Sequence, residues 1–194
     1  MDINFLKKEL SSILSKKRYE HSIRVLETAI ELAKIYNIDL EKVAIAAILH
    51  DFAKEFKRDE LVSISKIFFK EETEDYLDNI EILHSYAGTY IAKNKFNIND
   101  SDILNAIKYH TTGRKNMSLI EKIVYIADAI EPKRDYPHVK KIRELAFKNL
   151  DKAILVEVNN KIEYLVNENL VIHINSIEMR NWLLKNKLIG GNKL

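Results

Sequence analysis

Apolar residues along this chain return every three or four positions and almost nowhere alternate, and only four glycines and two prolines interrupt them in 194 residues. A period near 3.6 belongs to helices and a period of two to strands, so the pattern commits the chain to helices nearly throughout. The expected fold class is all-α. The spacing predicts a helix over about 17–36, and a second that begins after Asp39, a good N-cap, and carries VAIAAILHD. That second segment is apolar all round, which marks a central, buried helix. Further helices are expected at about 58–69, 80–95 and 101–110, with Gly113 placed to help end the last. Ser118 and Glu121 form a capping-box pattern at the start of a helix that runs to IADAIEP, where Pro132 stops it. Residues 138–149, 151–168 and 175–187 read as three more amphipathic helices, and the tail IGGNKL as frayed.

At this length and 46% hydrophobic content, the chain is enough for one sizeable core and short for two. One domain over 1–194 is therefore expected, with a core at about 17–137 and C-terminal helices at about 138–188 completing the bundle. There is no cysteine, so thiol nucleophiles, disulfides, zinc ribbons and iron–sulfur clusters are excluded, and any metal must be held by nitrogen and oxygen. The 31 basic and 29 acidic residues are interspersed and leave a formal charge of +2, without the basic block that nucleic-acid binding needs. A compact anionic ligand is compatible with that balance. The longest apolar run, VAIAAIL, is too short to span a bilayer, and the N-terminus lacks a secretion signal, so a cytoplasmic, membrane-free protein is expected. Neither GxGxxG nor GxxxxGK[ST] occurs.

The chemistry rests on where the histidines and two aspartates fall. His50 and Asp51 close the most apolar helix, where burying a carboxylate is costly unless a cation or strong donors compensate. Asp128, inside IVYIADAI, poses the same problem. His21, His84 and His110 lie in or at the end of separate expected helices, with apolar or small residues a turn away, so they can point inward together. Each has an ordinary reading on its own: a lone histidine is usually a core or surface residue, and the alternative for Asp128 is to cap a neighbouring helix or pair with an arginine. The ordered set H, HD, H, H, D is what points to a metal site.

A phosphorylated substrate would need cations beyond the metal ligands. Arg24 lies one turn past His21 and Lys54 one turn past Asp51, and Arg134 follows the Asp128 helix with a guanidinium suited to two-point phosphate contact. Thr111, Thr112 and Gly113 read either as phosphate donors or as a turn. His138 and His173 fall outside the pattern and read as surface or core residues. Glu81-x-x-His84 also suggests a ferritin-like site, but that fold wants two such pairs and only this one is present.

RYEHSIRV, ILHDFAK, HSYAG, KYHTTG and IADAIEPKRDYP resemble the successive motifs of the HD-domain superfamily. The segment from Glu131 to Pro137, and a match that extends to HINSIEMRNWLL, are similar to the bacterial YqeK-type symmetrical diadenosine tetraphosphate hydrolases. Where that family typically has proline after the histidine of its C-terminal motif, this chain has His173-Ile174-Asn175. The resemblance implies a two-metal centre in which His21, His50 and Asp128 hold one ion, His84 and His110 the other, and Asp51 bridges. Asp51 and Lys54 are then the catalytic residues, with Arg24, Lys54, Thr111, Thr112, Gly113 and Arg134 on the substrate. It points to two divalent or mixed-valence ions, iron first. The donor set itself favours iron, manganese, cobalt or zinc over magnesium or calcium. Water or hydroxide shared by two cations serves as nucleophile at neutral pH while the cations neutralise the attacked phosphate. Phosphate ester or anhydride hydrolysis follows from such a site. Cleavage of diadenosine tetraphosphate to two ADP, and a homodimeric assembly, follow from the resemblance. The rivals are another HD-type nucleotide phosphohydrolase, acting on a nucleoside mono- or triphosphate or a cyclic dinucleotide, and a non-catalytic nucleotide-binding protein.

Overall fold

The computed structural model describes residues 1–189, and among these every regular element is helical. The helices are α1 (Ile3–Ile13), α2 (Lys16–Ile35), α3 (Leu40–Leu49), α4 (Arg58–Phe68), α5 (Lys70–Thr73), α6 (Ile80–Asn94), α7 (Ser101–Tyr109), α8 (Leu119–Ile130), α9 (Val139–Ala146), α10 (Leu150–Asn167) and α11 (Ile174–Ile189). A 3-10 turn at Glu74–Tyr76 follows α5. Most of the expected tail, residues 190–194, lies outside the described residues.

The centre of the bundle is α3. Val43 to Leu49 are all buried, with α1, α2, α7 and α8 packed around them. Each Val, Ile or Leu sealed there contributes about 1.5–3 kcal/mol relative to exposure, so polar chemistry has a place only where the helix ends, at His50 and Asp51. The Asp39 carboxylate starts α3 by accepting from the Glu41 and Lys42 amides at 2.9 and 3.1 Å. At α8 the capping box is complete, and Arg114 grips the same Glu121 carboxylate through two nitrogens at 2.7 Å. Glu131 is extended (ψ 152°) immediately before Pro132, which ends α8 at Ile130.

Three elements differ from the sequence-based expectation, among them the helix expected over 138–149, which ends at Ala146 because Asn149 is extended (φ −161°) and caps α10. The chain begins with α1, which was not expected, although Ile3, Leu6, Leu10 and Ile13 share a helical face and Asp2 caps it through the Asn4 amide at 2.8 Å. The helix expected to reach residue 69 stops at Phe68, because Phe69 leaves helical geometry (φ −138°) and a new short turn starts at Lys70. In the C-terminal layer α10 packs on α8, α9 and α11, and one buried apolar cluster runs from Leu6 to Leu183.

Candidate metal centre

Five helical segments deliver the six residues singled out by the sequence. His21 comes from α2, His84 from α6 and Asp128 from α8; His50 and His110 are the residues that close α3 and α7. Asp51 stands two residues past the end of α3, in a run of tight turns where the Lys54 amide reaches the Asp51 carbonyl at 2.9 Å. Asp51 and Lys54 are thus presented by turns and not by a continuing helix. The histidines and Asp51 are buried, whereas Asp128, expected to be dry, keeps 22% of its side chain exposed on a cavity.

The Asp51 carboxylate divides the cluster in two. Its Oδ1 lies 3.1 Å from His84 Nε2 and 3.7 Å from His110 Nε2. Its Oδ2 lies 3.5 Å from His50 Nε2 and 3.7 Å from His21 Nε2. Asp128 Oδ1 joins the second pair, 3.0 Å from His21 Nε2 and 4.0 Å from His50 Nε2.

Every imidazole turns Nε2 inward because Nδ1 is engaged elsewhere. Nδ1 of His50 faces the Ala47 carbonyl at 2.7 Å, that of His110 the Ile107 carbonyl at 2.8 Å, that of His84 the Ile80 carbonyl at 3.4 Å, and that of His21 the Glu131 carboxylate at 3.2 Å. With Nδ1 donating, each Nε2 presents a lone pair. The Nε2 atoms of His21 and His50 are buried and make no hydrogen bond. Three overlapping groups, His21–His50–Asp51, His50–His110–Asp128 and Asp51–His84–His110, each offer ligand atoms within 4.8 Å of one another. Buried, unsatisfied nitrogen donors converging on shared carboxylates are what a divalent cation completes, and the residues present fit one.

The charge states of the two aspartates and His110 agree, while at His50 burial is outweighed by Asp51 and Asp128, which draw positive charge to its ring. Burial alone would raise the Asp51 pKa, but His50, His110 and His84 around it hold the carboxyl well below its usual range. For Asp128 burial is likewise outweighed by His21, Arg134 and His50. Burial pushes His110 down to about 4, which keeps its ring neutral and available as a ligand at neutral pH.

Around this cluster lies a layer only partly visible in the sequence. Arg18, missed there, donates to Asp51 Oδ2 at 2.8 Å. Glu131, noted there only as part of a motif, orients His21 and holds Arg24, whose Nε lies 2.6 Å from Oε2. Arg134 reaches Asp128 twice, from Nε to the backbone carbonyl at 2.9 Å and from a terminal nitrogen to Oδ1 at 2.6 Å. Lys54 pairs with Glu81 at 2.6 Å, with Nζ 3.5 Å from His84 Nδ1. Thr111 Oγ1 sits 3.2 Å from His110 Nε2. Thr112 and Gly113 build the turn after α7: the Thr112 hydroxyl donates to the Gly113 carbonyl, and the Gly113 amide to Tyr109 at 2.7 Å with φ at +63°. Outside the cluster, His138 opens α9, and His173 is buried with its ring stacked on Tyr76 at 4.1 Å.

A cavity of about 620 Å3 lies beside His21, lined by Lys17, Arg18, Arg24, Lys133 and Arg134 against Glu20, Glu55 and Glu131. It presents more positive than negative groups next to the cluster, the balance a polyanion requires.

Residues 18–133 match the HD domain family model, a span that contains all six cluster residues. The symmetrical bis(5'-nucleosyl)-tetraphosphatase of Halalkalibacterium halodurans is 40% identical over 171 residues, 88% of this chain and 91% of that protein. The enzyme of the same name from Staphylococcus aureus is 39% identical over 186 residues, 94% of each chain. A crystal structure described as a predicted HD superfamily hydrolase involved in NAD metabolism, from Clostridium acetobutylicum, superposes with a TM-score of 0.92 at 41% identity, covering 96% of this chain and 99% of that one. The chain therefore belongs to the HD-domain family, in the branch that contains the symmetrical bis(5'-nucleosyl)-tetraphosphatases.

Proposed function

We propose that the protein is a metal-dependent phosphohydrolase that cleaves diadenosine tetraphosphate in the middle of its phosphate chain, giving two ADP. The observation that carries this reading is the division of Asp51 between two histidine pairs, in a chain that aligns along most of its length with tetraphosphatases of that specificity. His21, His50 and Asp128 hold one ion, His84 and His110 the other, and Asp51 reaches both. Iron is the first assignment, ahead of manganese, cobalt and zinc, which the same donors suit. Bound there, the ions supply Lewis acidity, which lowers the pKa of water and offsets negative charge building on a phosphate.

The chain's own residues do the positioning. Arg18 steadies Asp51, leaving its two oxygens aimed at different histidine pairs. Arg24 and Arg134, on the wall of the cationic cavity, hold the phosphates on either side of the cut, Arg134 through its planar fork. Lys54, next to His84, places its ammonium where negative charge on the departing ADP oxygen develops. Thr111 offers its hydroxyl beside His110, and Thr112 and Gly113 shape the turn that presents it. A single domain over 1–194 carries the activity, in keeping with one apolar cluster that reaches from α1 to α11. We assign the enzyme to the cytoplasm and to a homodimer; exposed Val166, Leu170, Val171 and Ile174 in the C-terminal region support the dimer, and no described helix is long and apolar enough to cross a membrane.

The test is a substrate profile under one metal loading: kcat/KM for diadenosine tetraphosphate against AMP, dATP and a cyclic dinucleotide. The reading expects diadenosine tetraphosphate to lead. A higher value for any of the others replaces it with a different HD-type phosphohydrolase.

A further inference from the structure

A second cavity, of about 650 Å3, shares only Asp128 with the six cluster residues. Glu157, Asn160, Lys161, Tyr164 and Asn167 form one wall; their spacing puts them on a single face of α10. Tyr125 and Asp128 of α8 are the floor, and Tyr136 lies opposite. Arg134 lines both cavities, and His21 of the first stands 3.0 Å from Asp128 of the second.

The two cavities differ in charge. On the α10 side Asp128, Glu157 and Glu163 exceed Arg134 and Lys161. The Lys161 ammonium is already 3.1 Å from the buried Glu157 carboxylate, which also accepts from the Tyr125 hydroxyl. That balance turns phosphate towards the cationic cavity. What the α10 side offers instead is the tyrosine rings of Tyr136 and Tyr164 and two amide side chains, in a volume typical of small-ligand sites, while the Tyr125 ring beneath is buried and covered by the Lys161 ammonium at 4.5 Å. Aromatic rings take a flat heterocycle, and Asn160 and Asn167 carry both donors and acceptors for its edge.

We propose that this cavity is the nucleoside pocket, holding the base and ribose at one end of the substrate while the phosphate chain crosses Arg134 into the cationic cavity. The proposal rests on the dinucleoside reading above. Tyr164, 58% exposed and on the rim, is the stacking residue, and its exposure makes its removal harmless to the core.

The experiment titrates metal-loaded protein with ADP and, separately, with pyrophosphate, in wild type, Tyr164→Ala and Tyr164→Phe. Loss of one stacked base is expected to weaken ADP binding roughly tenfold in Tyr164→Ala. Tyr164→Phe should bind ADP like wild type, and pyrophosphate should bind all three alike. Unchanged ADP affinity in Tyr164→Ala, or an equal loss for pyrophosphate, overturns the pocket assignment. Steady-state kinetics on diadenosine tetraphosphate separates this from the parent reading. If wild type fails to cleave it but Tyr164→Ala still weakens ADP selectively, the substrate reading falls and the pocket stands. If wild type gives two ADP and Tyr164→Ala raises neither KM nor the ADP dissociation constant, the pocket alone falls.

Discussion

The Nε2 atoms of His84 and His110 lie 3.1 Å apart, deep in the protein, while each ring's Nδ1 faces a carbonyl of its own helix. Two nitrogen lone pairs at that separation repel unless a proton or a cation lies between them. Burial disfavours the proton on His110, and a divalent ion relieves the repulsion together with Asp51 Oδ1. Removing metal with a chelator should therefore lower Tm, and restoring it should recover the loss. At a hundredfold excess of ion over its dissociation constant the shift corresponds to about 2.7 kcal/mol, or roughly 5–10 °C for a chain of this size. Differential scanning calorimetry with and without chelator checks it, and coincident curves would contradict the metal assignment.

Among the described residues, Asp51 is the one carboxylate within 4 Å of both histidine pairs. Asp51→Ala is expected to empty both positions and reduce turnover to background, with metal content measured by mass spectrometry alongside activity. Retention of both ions and full activity in that variant would end the bridging role.

Glu131 acts through His21, orienting the ring from 3.2 Å, and also holds Arg24. Glu131→Ala should weaken metal binding by about 10–100-fold. Glu131→Gln keeps an acceptor for His21 but not the charge opposite Arg24, and should lose less. Equal metal affinity in wild type and Glu131→Ala would show that the ring is held by packing alone.

Gly113 combines a left-handed backbone with close packing: a Cβ there would run into the Met179 sulfur and methyl of α11. Gly113→Ala should cost about 1–3 kcal/mol through strain and overlap, read as a drop in Tm. Adding Met179→Ala to it relieves the overlap but not the φ of +63° and opens a cavity of its own, so the double variant should stay below wild type. Wild-type Tm in Gly113→Ala would contradict the close approach of Met179 to the turn after α7.

Helix periodicity and capping residues were enough to place most of the fold, since Asp39, Ser118 and Pro132 act within a few residues of themselves. The six cluster residues were identifiable as an ordered set, H, HD, H, H, D, in which His50, Asp51 and Asp128 stand out as polar groups on apolar segments. α1 went unread because its apolar face is short and interspersed with lysines and serines. Arg18 and Glu131 lacked a comparable signal: a charged residue near a helix end is ordinarily solvated, and what gives these two a role is contact across 33 and 110 residues. The α10 stripe was hidden for a similar reason, since Tyr164 and Asn167 look like surface until Tyr136 and α8 are folded opposite them.

The most direct test of the account is product analysis. Iron- or manganese-loaded protein is incubated anaerobically with diadenosine tetraphosphate, and the nucleotides are resolved by ion-exchange chromatography. ADP is expected as the sole product, two for each substrate consumed; equal amounts of ATP and AMP, or no product from fully metallated protein, would contradict symmetrical cleavage at this site.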